Sequence, residues 1–486
     1  MIITDKPFIA ISDSHAAVQE CNVTRESVEL LADLRRENIR FAHWKGNSHL
    51  LLSLEGKTDL EILVHPEDRL LFEMIVKKRF YKKLIAQPWN AYPSNEDWIG
   101  FDFTTGNLLH LHTHYDLVTG IDYGKYLHLP WREQFFRNLK IDKLTGWPIP
   151  IPEMEALVLL IRIQANAIHK KKAISESKQN ELRQLVSQVQ VQRFRDLCQE
   201  LQLNVPGDLD FEIRRIVQDN SLPAMIHLSS FFYHQPVDCV KAKWTSIKTV
   251  YYKYFFKAIR VAGRYLKLVQ LKKTMAEGGK IIAFVGSDGA GKSTLCKDVI
   301  KWLTFKIDAH YFYFGKRPFI KSNDKQLFSK TDFLFNNGIF SRYFRKMAGS
   351  FYYLLLTNKK INMLRLGKQV SKKSSLVICD RFPQKDIMGF FDGPKLQTEK
   401  RSWLSGFEMK QFQKLFLTGN DVVFRLNLSA EVAARRKPDH DYKLIEQKCI
   451  NLSSITYGSA KVIDVDAEKP YGQVLLEIKR RIWENL

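Results

Sequence analysis

KIIAFVGSDGAGKSTLCKDVIKWL, residues 280–303, runs from a β-branched apolar stretch through a glycine-rich loop into an amphipathic helical pattern. Within it Gly286, Ser287, Asp288, Gly289, Ala290, Gly291, Lys292 and Ser293 match GxxxxGK[ST] in the strand–loop–helix setting the motif requires. Glycines let the backbone turn tightly, so that successive N–H groups face phosphate oxygens. The helix beginning at Lys292 adds the positive end of its dipole. Lys292 is expected to reach the β and γ phosphates of a nucleoside triphosphate and the Ser293 hydroxyl to ligate Mg²⁺. Together with Thr294 these residues form the expected nucleotide-binding set. The fold class that follows is α/β, with a doubly wound parallel sheet from about residue 276 onward.

Downstream, SSLVICDRFP (374–383) reads as a buried strand ending in Asp380 and Arg381. A carboxylate at the carboxyl end of a parallel strand sits where such sheets bind ligands. There it can hold Mg²⁺ through water or orient an acceptor. Arg381 beside it can pair with phosphate through two donors, although a strand-end ion pair has the same sequence appearance. DVVFRLNLSAEVAARRKPDHD (421–441) gives another strand, a turn and a helix carrying Arg435, Arg436 and Lys437. Such a segment can close over a triphosphate and stabilise developing charge, or be a solvated basic helix end.

The order GSDGAGKST, CDRF, LSAEVAARRK and a closing VIDVDAEKPYGQVLLEIKRRI resembles the thymidylate kinase family of P-loop kinases, from about Ile281 to the last residue. The resemblance implies ATP as donor, with Lys292 and Ser293 serving ATP and magnesium and Asp288 near the acceptor. It implies Asp380 and Arg381 at the acceptor phosphate, Arg435 or Arg436 as lid arginines, and Val465 to Ala467 near the adenine. Catalytic roles are thus expected of Lys292, Asp380, Arg381, Arg435, Arg436 and Asp288. The chain departs from the family pattern in having Val285 where a glutamate is usual. It also reads FPQKDIMGFFDGP after Asp380-Arg381, where the family has a serine and an Ala-Tyr-Gln segment.

Near the N-terminus, HWKGNSHLLLSLEGKTDLEILV (43–64) has a Lys-Gly-Asn turn, a helical run and then Asp59 and Glu61 entering an apolar strand. Strand alternation puts both carboxylates on one face, where they can share a divalent ion. The pattern resembles the polymerase β type of nucleotidyltransferase, with Gly-Asn in place of Gly-Ser or Gly-Gly. That family adds a third acid on a later strand. The strand expected to carry it, LLHLHTHYDL (108–117), offers His110, His112 and His114 instead. The pairing of such a domain with a thymidylate kinase-like one resembles proteins found among bacterial surface-polysaccharide assembly genes.

The chain has 486 residues, 45% of them apolar, and suits two or three domains. The expected division is a small nucleotidyltransferase-like α/β domain over 1–150, a helical connector over 151–275 and the P-loop domain over 276–486. In the connector, EMEALVLLIRIQANAI and ELRQLVSQVQVQRFRDLCQEL each show apolar residues three and four apart. Six scattered cysteines, the lack of an N-terminal signal pattern and of any long apolar run give the expectation of a reducing, cytoplasmic setting.

The net charge of +23 is concentrated. Eleven lysines and arginines against one acid lie between Val240 and Lys280, and fourteen against two between Lys316 and Ser375. Lys253, Lys257, Arg260, Arg264 and Lys267 recur at helical spacing among Tyr and Phe. The helix over about 250–273 can therefore lie on an anionic membrane surface at the inner face, or dock on a neighbouring domain. Nucleic acid ranks below both as a partner, because no recognition module accompanies the charge.

The leading reading is an ATP-dependent kinase acting on a nucleotide or on a phosphorylated or glycan-type acceptor. Two alternatives stand beside it: nucleotidyl transfer through Asp59 and Glu61, and a nucleotide-regulated, non-catalytic scaffold at the membrane.

Overall fold

The computed structural model describes residues 23–88, 90–92, 94–121, 124–170, 174–235, 251–252, 254–256, 258–259, 261, 272–315, 339–396, 403–418 and 421–486. Fifteen strands are found among them. β1 (Phe41–His43), β2 (Leu60–Val64), β3 (Lys82–Ile85), β4 (Asn95–Phe101), β5 (Leu108–His114) and β10 (Thr274–Met275) form one sheet in the order β1-β2-β5-β4-β3-β10. β2 and β5 are its parallel pair, and the other pairings are antiparallel. Two small ribbons join β6 (Val118–Ile121) to β7 (Gly124–His128) and β8 (Leu139–Ile141) to β9 (Pro148–Pro150). The second main sheet is wholly parallel, in the order β12 (Ala309–Tyr313), β13 (Leu376–Asp380), β11 (Ile281–Gly286), β14 (Val422–Asn427) and β15 (Lys461–Asp466).

Helices Pro152–Lys170, Glu176–Val186, Val191–Glu200, Leu209–Asp219 and Leu222–Tyr233 lie between the two sheets in sequence. The run 181–201, which the apolar spacing joins, is broken at 187–190. There the Glu153 carboxylate accepts the Gln190 N–H at 2.9 Å and starts a new helix. The end of the expected connector is also not helical. Thr274 and Met275 pair with Ile85 and Leu84 and add an edge strand to the first sheet.

Alternation along the strands assigns the faces of that first sheet. Leu60, Ile62 and Val64 of β2, Leu109 and Leu111 of β5 and Trp98 of β4 enter one core. On the opposite face, Leu63 packs with the helices of 152–233, whereas Ile99 and Phe101 pack with the final helix Tyr471–Asn485 and with β11. Asp59, Glu61, Asp97 and the three histidines of β5 share this second face, between the two apolar contacts.

The cationic residues Lys253, Lys257, Arg260, Arg264 and Lys267 lie outside the described residues. Tyr251, Tyr252, Tyr254 and Phe255 on that segment are helical and exposed. No helix among the described residues is long and apolar enough to cross a membrane.

Candidate functional site

β11 is flanked by β13 on one side and β14 on the other, so the loop after Gly286 opens at the carboxyl edge of the parallel sheet where strand order diverges. Gly289 (φ +88°) and Gly291 (φ +81°) take the left-handed conformations that the turn requires. A Cβ on Gly289 would lie 3.0 Å from the carbonyl oxygen of Ala433, so helix Ala430–Arg436 rests directly on the loop. Helix Lys292–Leu303 follows Gly291 at once, with its first N–H groups beside the loop.

Lys292 is buried, and its ammonium donates to the carbonyl oxygens of Gly286 (3.0 Å) and Ser287 (2.6 Å). Burial pushes its pKa down to about 8, the nearby Arg381 adds to the fall, and Asp288, Asp380 and Asp392 oppose it. Ser287 Oγ is buried with no hydrogen-bond partner among the described residues. Ser293 and Thr294 are exposed. Asp288 is paired with Lys448, and Arg381 lies 3.5 Å from it. Burial works against its charge, but the Lys448 contact outweighs that and holds the carboxyl below its usual range.

Asp380, the last residue of β13, is fully buried. Oδ2 accepts a 2.8 Å hydrogen bond from the Tyr311 hydroxyl, and Oδ1 has no hydrogen-bond partner among the described residues. Arg381 leaves the strand with φ +71°, its N–H bonded to the Phe284 carbonyl at 3.0 Å. The guanidinium so aimed lies between Asp288 and Asp392, which is 3.7 Å away. Asp392 is held in turn by the buried Lys360 ammonium at 3.1 Å. Arg435 and Arg436 are exposed at the end of their helix. Arg436 donates to the Ala467 carbonyl at 3.0 Å, which ties this helix to the segment after β15.

Three members of this site carry no sequence signal. Gln384, fully buried, donates to the carbonyls of Ile387 (2.6 Å) and Phe390 (2.8 Å) and accepts from the Ile387 N–H. It thereby folds 384–392 into a compact loop that brings Asp392 back to Arg381. Lys360 comes from the long helix Ile339–Lys372 and Lys448 from helix Tyr442–Leu452. A cavity of about 240 Å³ lies alongside, with Tyr311, Tyr313, Phe314, Lys359 and Lys360 among its walls.

In the first sheet, Glu61, His112 and Asp97 sit in register across β2, β5 and β4. A third carboxylate, Asp97, thus stands on the strand beyond the histidines. Asp59 and Glu61 do share a face, but they have different partners. Asp59 pairs with His110 Nδ1 at 2.8 Å and with Lys306, and Glu61 with His114 Nε2 at 2.8 Å and Lys45 at 3.1 Å. Asp97 accepts from His112 Nδ1 and from Lys273, at 2.7 and 2.6 Å. Burial disfavours the charge on Glu61, yet Lys45 and the histidines hold its carboxyl well below the usual range. His112 and His114 are pushed down by burial. Asp59, Glu61 and Asp97 line a pocket of about 460 Å³ whose other walls include Lys45, Lys125 and Arg162.

No protein-family model matches the chain. It is 28% identical over 220 residues to the uncharacterized ATP-binding protein YghR of Escherichia coli (strain K12), a match spanning 42% of this chain and 86% of YghR. It is 26% identical over 223 residues to the uncharacterized ATP-binding protein YghS of the same organism, spanning 42% of this chain and 92% of YghS. Among solved structures, a deoxyadenosine kinase from M. mycoides with bound dATP aligns at a TM-score of 0.24 and 14% identity. That alignment covers 42% of this chain and 98% of the kinase.

Proposed function

We propose that the chain is a P-loop phosphotransferase that binds ATP with Mg²⁺ and transfers the γ-phosphoryl group to a nucleotide or to a sugar- or glycan-type acceptor. The observation that carries this reading is the buried Lys292 ammonium, curled onto the carbonyls of its own glycine loop with Asp288, Asp380 and Arg381 around it. A buried ammonium with only neutral carbonyls as hydrogen-bond partners gains when a polyphosphate replaces them. The names of the two relatives, both ATP-binding proteins, support the same donor.

The unpartnered Oδ1 of Asp380 and the Ser293 hydroxyl at the start of the helix after the loop are oxygen donors of the kind Mg²⁺ takes, directly or through water. When bound there, Mg²⁺ would neutralise charge on the β and γ oxygens. The chain's own groups do the rest. Lys292 leaves the loop carbonyls and follows the transferring phosphoryl group. Arg381, held between Asp288 and Asp392, orients an acceptor phosphate or hydroxyl, and a hydroxyl acceptor passes its proton to Asp288 beside it. The acceptor oxygen bonds to the γ phosphorus as the bond to the β–γ bridging oxygen breaks, and ADP leaves. The aromatic-walled cavity that includes Tyr311, the hydrogen-bond partner of Asp380, and has Lys359 among its walls suits a ring-bearing acceptor.

A second reading rests on the carboxylates Asp59, Glu61 and Asp97 lining one pocket: nucleotidyl transfer by the N-terminal sheet. An acceptor screen with γ-labelled and α-labelled ATP side by side tests both. The kinase reading expects γ label on an acceptor, lost in a folded Lys292→Met variant. Turnover unchanged in that variant would overturn it. Label from the α position, lost on Asp59→Asn and spared by Lys292→Met, would favour the second reading.

A further inference from the structure

We propose that Glu61, His112 and His114 form a binding site for a divalent transition metal of the zinc class, separate from the phosphotransfer site. The three side chains each offer one ligand atom, and these atoms lie within 4.8 Å of one another. All three are set by sheet register. Glu61 stands opposite His112 in the parallel pair β2–β5, and His114 follows two residues later on the same face. A donor set on paired strands keeps its geometry without a ligand, as a preformed metal site requires.

Three further features fit a metal. The Asp97 carboxylate accepts from His112 Nδ1 at 2.7 Å, the outer-carboxylate arrangement that turns the other ring nitrogen outward as a ligand. The ring of Trp44 stands edge-on to His114 with centroids 5.1 Å apart and shields that side from water. Two imidazoles and one carboxylate are a donor set for zinc-like ions, whereas Mg²⁺ prefers oxygen alone. Asp59, which a shared two-carboxylate magnesium site would need, is instead engaged by His110 and Lys306.

The side facing the pocket is rimmed by cations. Lys45 lies 3.1 Å from Glu61, Lys125 lies 3.1 Å from His112 Nε2, and Arg162 and Lys273 share the walls. Two consequences follow. The ammonium of Lys125 competes with a metal for His112, and the open coordination position faces a wall suited to an anionic ligand such as phosphate.

The test uses the full chain, stripped of metal and titrated with Zn²⁺ and with Co²⁺ in excess Mg²⁺. One Zn²⁺ per chain is expected, together with a visible Co²⁺ absorption band that shifts when inorganic phosphate is added. Lys125→Met should tighten Zn²⁺ binding, and Asp97→Asn should weaken it by about 10- to 100-fold. His112→Ala with His114→Ala should abolish it with the far-ultraviolet circular dichroism retained. Lys292→Met should bind metal as the wild type does, so the result is independent of the phosphotransfer reading. His227→Ala is the control for a second cluster, Asp208, Glu212 and His227. Zn²⁺ lost in that variant, Zn²⁺ retained by the folded double variant, or a wild-type chain with neither bound Zn²⁺ nor a Co²⁺ band would overturn the proposal.

Discussion

Phe101 stacks on Trp483 with ring centroids 5.6 Å apart, although Phe101 belongs to the six-stranded sheet and Trp483 to the final helix beside the parallel one. The indole N–H also donates to the Phe80 carbonyl at 3.2 Å. One apolar core thus runs from Leu84, Ile99 and Phe101 into Phe284, Val465 and Ile482. Trp483→Ala should cost about 3–5 kcal/mol, the usual loss for a fully buried large aromatic. Because the core is shared, both sheets should be affected. Denaturant unfolding followed by circular dichroism and by tryptophan fluorescence checks this. A variant as stable as the wild type would contradict it.

Lys360 and Asp392 make a buried pair at 3.1 Å, with side-chain exposures of 6% and 8%. Removing Lys360 leaves the Asp392 carboxylate with only the more distant Arg381, at 3.7 Å, to balance it. Lys360→Met should therefore destabilise by about 3–5 kcal/mol, whereas Lys360→Met with Asp392→Asn should recover much of the loss. Chemical denaturation of the three variants makes the comparison. Equal losses in the single and double variants would show that the pair is not coupled.

The glycine loop was legible because its signal is local: eight consecutive residues determine the turn, with a strand before it and a helix after it. Asp380-Arg381 at a strand end was legible for the same reason. Asp97 was not. Its neighbours Asn95 and Glu96 have the composition of a turn, and only the cross-strand register opposite His112 puts it beside Glu61. Gln384 and Asp392 belong to a loop whose shape comes from side-chain-to-backbone hydrogen bonds, which have no periodicity to read. Lys273 and Lys306 reach Asp97 and Asp59 across more than 170 residues of chain, so no window of sequence contains both partners. The break at 187–190 was hidden because the apolar spacing continues through it, and the carboxylate that starts the next helix comes from Glu153.

Gly289 combines a left-handed backbone with a close approach to helix Ala430–Arg436. Adding a methyl group meets the Ala433 carbonyl at 3.0 Å and strains φ as well, so the loop or the helix must shift. Gly289→Ala should weaken ATP binding by about tenfold or more, equivalent to roughly 1.4 kcal/mol. Occupancy of the Zn²⁺ site, which is on the other sheet, should be unchanged. Equilibrium binding of a fluorescent ATP analogue measures the first effect. Wild-type affinity would mean that the loop does not need this conformation to hold phosphate.

Lys292 gives the site a pH dependence whose sign follows from its surroundings. In the free chain, burial lowers its pKa to about 8. A bound triphosphate favours the charged ammonium and raises the pKa above that value. Below pH 8 the group is already protonated in both states, and it adds no pH dependence to binding. Above pH 8 the free chain loses the proton and the complex retains it, so each binding event takes up a proton and affinity falls as pH rises, by at most about tenfold per unit. Titration calorimetry at pH 7 and at pH 9, each in two buffers of different protonation enthalpy, should show net proton uptake at the higher pH only. The extra uptake should vanish in Lys292→Met. Equal uptake at both pH values, or uptake unchanged in the variant, would assign the proton to another group.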